Sequence, residues 1–373
     1  MSAKRRQPRR SDRSIFDPPQ PDSDSRPSGN NRYDEYEDAF DGVEDKSRER
    51  RKRRKAAPAT GKLREGRVIS RSRGHYRVAL RAGDADTTTS GDEVKCSLRG
   101  RLRGLDVPVA GDLVRLRLDG EEGVLEEVLP RRNSLTRVSE EDESVFKVIA
   151  ANVDVLGIVL SVEPHPPRWA LADRMLVLSE REEFRAVIVL NKTDLLEVDS
   201  PEGREIENAA AVYRELGVDV CYTSALQPSG LDDLESLLRG QVSVLAGHSG
   251  VGKSSLLNAL YPDLQLEVGR TNPHTGKGRH TTTLARLVPL PTGGYMVDTP
   301  GFREFGLGDV PVADLGRYYP EFRPIIGACR FSDCLHRDEP GCALRQALER
   351  DEVSKLRYQN YLLILSGLVE GQK

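Results

Sequence analysis

Val242-Ser-Val-Leu-Ala246 runs directly into Gly247-His248-Ser249-Gly250-Val251-Gly252-Lys253-Ser254, and Ser255 to Tyr261 continues with apolar residues at helical spacing. Strand, glycine-rich turn and helix, in that order, are the context that a phosphate-binding loop of the form Gly-x4-Gly-Lys-Ser requires. The glycines let successive backbone N–H groups turn inward at a helix amino terminus, where they can cradle phosphate oxygens. Lys253 would place a point charge between the terminal phosphates, and the Ser254 hydroxyl, with Ser255 beside it in the first helical turn, would ligate Mg²⁺. At average residue usage the pattern arises in roughly one chain of this length in a hundred, which makes chance a weak alternative.

Working outward, Asn191-Lys192-Thr193-Asp194 closes another apolar run, Arg185 to Leu190. A tetrad of this kind at the carboxyl end of a strand is the guanine-reading motif of Ras-like GTPases. Asp194 would accept from guanine N1–H and the 2-amino group. Adenine presents an acceptor at N1 and lacks that amino group, so the same carboxylate would leave buried polar groups unmatched. Asn191 and the aliphatic part of Lys192 would frame the base. Thr223-Ser224-Ala225, after the run Val218 to Tyr222, is similar to the loop that supports the guanine oxygen through backbone N–H groups.

A third element, Asp298-Thr-Pro-Gly301, closes the run Tyr295 to Val297. Asp298 would hold the Mg²⁺ shell through water, and the Gly301 N–H would meet the γ-phosphate. Between this element and the phosphate loop lies Gly278-Arg-His280-Thr-Thr282-Thr283, whose threonines, Thr282 foremost, would complete Mg²⁺ coordination. Phe302 follows Gly301 at the place where many Ras-like enzymes carry a Gln that orients the attacking water. Slow intrinsic hydrolysis, raised when a partner orders the site, is therefore expected. His280 is the candidate to position water, the alternative being that it only shapes the segment around it.

The runs Val153 to Val162, Arg185 to Leu190, Val218 to Tyr222, Val242 to Ala246 and Tyr295 to Val297 alternate with helical patterns at Trp169 to Glu183, Gly203 to Leu216 and Leu231 to Leu238. Such alternation predicts a mainly parallel sheet covered by helices. From Leu63 to Arg137 the texture is instead short segments of two-residue alternation. In one of them Val114, Leu116 and Leu118 share a face and Arg115 and Arg117 the other, and Leu98 to Gly104 adds a basic turn. A five-stranded nucleic-acid-binding barrel, an OB-fold, fits this segment. A barrel whose arginines are merely solvated fits as well, because aromatic residues for base stacking are few.

Cys329-x4-Cys334-x-His336-x5-Cys342 gathers three of the five cysteines and one of the six histidines. Soft thiolates with one imidazole suit tetrahedral Zn²⁺ with no open position, hence a structural site, with a buried-thiol or redox role the alternative. Cys96 and Cys221, isolated in strand-like runs, read as small core residues. In the tail, Tyr358, Tyr361, Leu362 and Leu365 share a helical face that is expected to pack on another domain.

The order of the motifs is informative, because an ordinary Ras-like GTPase carries its phosphate loop before its guanine motif, and here the guanine motif comes first. The chain resembles a circularly permuted GTPase. With a barrel before it and a Cys/His cluster after it, the whole from about Leu63 to the carboxyl terminus resembles the ribosome small-subunit-dependent GTPase A family. The resemblance rests on Asn191 to Asp194, Gly247 to Ser255, Gly278 to Thr283, Asp298 to Phe302 and the cysteine spacing; His248 stands where the family places Gln. It implies binding to the 30S ribosomal subunit, contact with 16S rRNA, and subunit-stimulated hydrolysis of GTP to GDP during late maturation of that subunit.

Length and composition agree with this reading. The 373 residues, 37% hydrophobic and 31% charged with a net charge of -3, suit a chain of two or three globular domains, and no apolar run approaches a bilayer span. Without a secretory signal or a disulfide framework, a cytoplasmic and reducing setting is expected, with no membrane partner and a monomeric state. Residues 1–62 form a charged leader expected to be disordered, either a solvated linker or a basic arm that loosely holds a polyanion. The expected division is leader, barrel over 63–137, permuted α/β GTPase domain over 138–305, and a mainly helical zinc-binding domain over 306–373. Two other functions stand as alternatives to a GTPase of subunit maturation. One is a GTP-gated binding module whose turnover is incidental; the other is a plain nucleotide kinase or ATPase, against which Asn191 to Asp194 argues.

Overall fold

A computed structural model describes residues 63–72, 74–81, 93–99, 107–138, 146–264, 285–298, 307 and 310–371. The charged leader, His280, Thr282, Gly301 and Phe302 lie outside the described residues.

Strands β1 (Leu63–Ser72), β2 (His75–Leu80), β3 (Glu93–Leu98), β4 (Leu113–Asp119) and β5 (Glu122–Val128) close a barrel in the order β1-β2-β3-β5-β4. All pairs are antiparallel except β3 with β5, and β4 returns to β1 to seal it. This is the strand order of a five-stranded OB-type barrel. Two-residue alternation does the sorting: Val68, Val78, Cys96, Val114, Leu116 and Leu125 fill the interior, while Arg115 and Arg117 face out. The outward face is a lattice of matched charges. Arg115 bonds Glu65 at 3.2 Å and Glu127 at 3.0 Å, Arg117 lies 3.6 Å from Glu126, and Lys95 reaches Glu122 at 3.4 Å.

A hairpin of β6 (Ser134–Val138) and β7 (Phe146–Ala151) joins the barrel to the next layer, so the boundary expected at 137/138 falls inside this hairpin. Two buried asparagines close the join. Asn133 donates to Val153 O at 2.8 Å and accepts from Val153 N at 2.9 Å, and Asn152 donates to Gly111 O at 3.1 Å.

The second sheet has the order β10-β9-β8-β11-β13-β12, built from β8 (Val155–Ser161), β9 (Arg185–Asn191), β10 (Asp219–Thr223), β11 (Val242–Ala246), β12 (Arg286–Pro289) and β13 (Tyr295–Asp298). Only β12, at the edge, runs antiparallel. β8 shows why it is central: it is apolar at almost every position and buried on both faces. Leu156, Ile158 and Leu160 face helices α1 (Trp169–Glu182) and α2 (Pro201–Glu215), which bring Met175, Leu178, Ile206 and Tyr213 to the same core. Val155 and Val159 face the opposite side, where α3 (Leu231–Leu238) and α4 (Lys253–Leu260) supply Leu234, Leu238, Leu256 and Leu257. Cys221 is buried in this second core and Cys96 in the barrel, as small apolar residues.

The carboxyl-terminal module is a 3-10 turn at Val312–Tyr318, α5 (Arg323–Ile326), α6 (Ala343–Glu349) and α7 (Lys355–Gly371). Tyr319 stacks on Phe322 at 4.7 Å between centroids, and Tyr361 meets both edge-on at 5.4 and 5.6 Å. Tyr358, Tyr361 and Leu365 are buried and Leu362 partly so, in a core shared with Val177 of α1. The apolar face of the tail helix therefore does pack on the preceding domain. Among the described residues no helix is long and apolar enough to cross a membrane.

Candidate functional site

The phosphate-type loop leaves the carboxyl end of β11, a central parallel strand, and the Asn191 turn leaves the carboxyl end of β9. β8 alone separates the two strands. Ligands of open α/β sheets bind at this end.

Backbone geometry dictates the glycines. Gly247 has φ +150, and a Cβ there would lie 2.2 Å from Val159 O; Gly252 has φ +95, and its Cβ would lie 2.5 Å from Asn191 Nδ2. α4 begins at Lys253 with Gly252 as its cap, so Ser254 and Ser255 stand in its first turn with unbonded backbone N–H groups of the helix start around them. Lys253 Nζ donates to Gly247 O at 2.7 Å and His248 O at 3.0 Å, which curls the side chain back over the loop. Burial lowers its pKa by penalising the ammonium, and a polyphosphate placed there would favour the charged form again.

Asn191 is buried and committed to structure. Its Nδ2 donates to Val251 O at 2.8 Å, and its Oδ1 accepts from Thr223 Oγ1 at 3.3 Å. The residue therefore ties three loops together: its own, the phosphate-type loop and the turn after β10. Lys192 takes the left-handed conformation, φ +66, with Nζ 3.4 Å from Glu163 O. Thr193 Oγ1 donates to Thr223 O at 3.0 Å. Ser224 Oγ donates to Asp194 Oδ1 and accepts from the N–H groups of Leu226 and Gln227 at 3.2 and 3.0 Å. Asp194 is thus oriented through one of its oxygens. The buried hydroxyls of Thr223 and Ser224 are contributions that the spacing of motifs did not reveal. Thr223 ends β10 and Ser224 follows it, within the Thr223-Ser224-Ala225 segment whose resemblance to a guanine-supporting loop pointed to backbone N–H groups rather than to hydroxyls.

Asp298 ends β13 and pairs with Arg286 of β12 at 2.9 Å, directly across the antiparallel ladder. A cleft of about 270 Å³ flanks the loop, bounded by Leu160, Glu163, Arg168, Lys192 and His248 to Val251.

The second constellation is the cysteine cluster. The donor atoms of Cys329, Cys334, His336 and Cys342 all lie within 4.8 Å of one another, with His336 Nδ1 at 3.4 Å from Cys329 Sγ and 3.6 Å from Cys342 Sγ. A tetrahedral ion with metal–sulfur bonds near 2.3 Å sets its donors about 3.6–3.8 Å apart, so the four could hold one soft-ligand metal ion. Burial pushes the Cys334 thiol up to about 12, raises Cys342 and lowers His336. Thiolates crowded here accordingly call for a cation among them. His336 sits at φ +59, a strained conformation held by Tyr358 OH to its carbonyl at 2.7 Å. Glu339 braces the same turn by accepting from the N–H groups of Leu335 and Arg337, each at 2.8 Å.

A parallel sheet with a phosphate-type loop after β11, and a guanine-type Asn-Lys-Thr-Asp turn that precedes it in the chain, defines a circularly permuted GTPase, an enzyme that hydrolyses GTP. A family model described as RsgA GTPase matches residues 128–308. The chain is 41% identical over 319 residues to the "Small ribosomal subunit biogenesis GTPase RsgA 1" of Vibrio parahaemolyticus, covering 84% of this chain and 86% of the relative. Against the RsgA of Moorella thermoacetica it is 39% identical, covering 83% and 99%. Among solved structures, YjeQ from Thermotoga maritima superposes with a TM-score of 0.69 at 34% identity, over 83% of this chain and 99% of that one. YloQ, described as a circularly permuted GTPase, gives 0.66 at 32% identity, over 84% and 96%. The chain belongs to the RsgA GTPase family.

Gly252→Ala should be among the most damaging single changes in the loop, because it combines backbone strain with the loss of the Asn191 tie. We expect affinity for a fluorescent GDP analogue to fall by at least about 30-fold, from two effects of about 1–3 kcal/mol each. An affinity within a few-fold of wild type would show that the tie does not shape the loop.

Proposed function

We propose that the chain is a GTPase of small-subunit ribosome biogenesis that binds the 30S subunit, contacts 16S rRNA, and turns over GTP faster on that subunit late in its maturation. The observation that carries this reading is the extent of the likeness: alignment to relatives named small ribosomal subunit biogenesis GTPases runs over 319 residues, well beyond the matched GTPase segment of 128–308. Barrel and Cys/His module would then serve the partner, and the sheet between them the nucleotide.

Within the sheet, Asp194 accepts from guanine N1–H and the 2-amino group, with Lys192 along the base and Ser224 and Ala225 at its edge. N–H groups from Gly247 to Ser255 take the phosphates. Lys253 leaves its two carbonyl partners for the terminal phosphates, where its charge offsets the negative charge that builds as the bond to the γ-phosphoryl group breaks. Mg²⁺, held by Ser254 and Thr282 and through water by Asp298, would supply further neutralisation of the phosphates. Asp298 would exchange Arg286 for that shell, a small change because exposed pairs contribute about 0–1 kcal/mol. Gly301 meets the γ-phosphate, and His280 positions the attacking water. Cys329, Cys334, His336 and Cys342 hold one structural Zn²⁺. The protein acts as a monomer in the bacterial cytoplasm.

The barrel arginines would reach RNA by exchanging carboxylates for phosphates. Since Arg115 already pairs with the exposed Glu65 and Glu127, its contribution is an exchange of weak surface pairs, and binding should be steeply salt-dependent.

GTP hydrolysis by the full chain, measured with 30S subunits, with 50S subunits and alone, should rise strongly with 30S only. Asp194→Asn should weaken GTP by at least about 100-fold and favour xanthosine triphosphate, whose 2-oxo group suits an amide donor. No rise with any subunit would contradict the proposal and favour a GTP-gated binding module. For the cluster, metal analysis should find one zinc per chain. Cys334→Ser should lose it and lower the melting temperature, whereas a metal-free wild type of equal stability would exclude a structural ion.

A further inference from the structure

Helix α1 is in contact with several parts of the molecule. At its amino end Trp169 stacks on Tyr213 of α2 at 5.1 Å, and Leu171 lines the cleft beside His248 to Val251. At its carboxyl end Glu182 accepts from Ser134 N of the β6 hairpin strand at 3.0 Å. Arg181 donates to the carbonyl of Leu307, downstream of Asp298, and Glu180 pairs with Arg323 of α5. Val177 belongs to the core of the carboxyl-terminal module.

At the centre of this contact lies a buried charge cluster. Asp173 is fully buried and accepts from Arg357 of α7 and from Tyr213 OH, the latter at 2.8 Å. Arg357, only 2% exposed, also donates Nε to Glu321 at 2.7 Å, and its guanidinium lies 4.5 Å above the Tyr319 ring and 5.5 Å from that of Tyr213. A buried ion pair stabilises little compared with apolar packing of the same shape, yet separating its partners is costly. Its effect is therefore registration: α7 can slide or turn on α1 only by breaking the pair. Asp173 lies on α1 between the end that lines the cleft through Leu171 and the end that holds Leu307 through Arg181.

We propose that α1 carries the nucleotide state of the phosphate loop to the Cys/His module, and that Arg357 is the positioning residue that locks the module's α7 to Asp173. In the GTP and GDP states the module would sit differently, with α1 rather than a slack linker setting the difference. The proposal builds on the subunit-stimulated GTPase reading, in that the module would be a surface presented to the subunit.

Amide hydrogen exchange of the full chain, loaded with GDP or with a non-hydrolysable GTP analogue, tests this without any partner. Exchange within α7 should differ by at least about fivefold between the two states in wild type. In Arg357→Lys, which keeps the charge but loses the planar fork, that difference should vanish while the response of Gly247 to Ser255 persists. A purely structural role would change α7 protection equally in both states. No state-dependent exchange in wild-type α7, or a difference that survives in Arg357→Lys, would overturn the proposal. Should Arg357→Lys lose protection throughout α7, Arg181→Ala, which cuts the link to Leu307 and leaves the buried pair intact, is judged by the same criterion. In parallel, Arg357→Lys should keep intrinsic kcat and KM for GTP within about twofold and lose about tenfold in 30S-stimulated kcat. Absence of stimulation in wild type would sink the subunit reading alone, while the exchange result still decides the role of α1.

Discussion

One buried hydrogen bond sets the spacing between the loops that follow β9 and β11: the Asn191 amide reaches the carbonyl of Val251. It can do so only because Gly252 has no side chain to stand in its way. The bond ties the Asn191 turn to the phosphate-type loop, and Thr223 secures it from a third strand. Since a nucleotide has a fixed distance between base and phosphates, this tie converts two separate motifs into one site. It also accounts for why chain order can be permuted. What matters is that β9, β8 and β11 lie side by side, and the sheet preserves that whichever strand is made first.

Permutation does have consequences outside the site. The strand ending in Asp298 leads toward the carboxyl-terminal module, and α1 is placed between that module and the sheet through Asp173, Val177, Glu180 and Arg181. A buried ion pair at such a contact gives little stability but fixes orientation. The barrel follows another logic: its arginines are neutralised across the strands by Glu65, Glu126 and Glu127. Pairing of this kind lowers the indiscriminate attraction of such a surface to polyanions.

What could be read from the sequence was local. Gly247 to Ser254, Asn191 to Asp194 and the cysteine spacing are fixed-interval patterns, and they fall at strand ends and in one cluster of donor atoms. The strands were legible because β8 and β9 are apolar throughout while β4 alternates. Contacts made across long stretches of chain were not legible. Asn191 was expected to frame the base, and its bond to a carbonyl sixty residues away is invisible to spacing. Ser224 was expected to act through its backbone, and its hydroxyl proves to hold Asp194. The exposed face of β4 looked basic because the carboxylates that match it lie on other strands and appear only with the register. Asp173 and Arg357, 184 residues apart, carry no local signature at all.

The most direct test of this account is a double-mutant cycle on GDP affinity with Asn191→Ala, Gly252→Ala and the pair together. Truncating Asn191 removes the group that a side chain at 252 would strike. The account therefore predicts that the double variant binds no worse than Gly252→Ala alone, a coupling on the order of 1–3 kcal/mol. Effects that add to within about 0.5 kcal/mol would show that the two residues act independently, and the tie between base pocket and phosphate loop would not be what shapes the site.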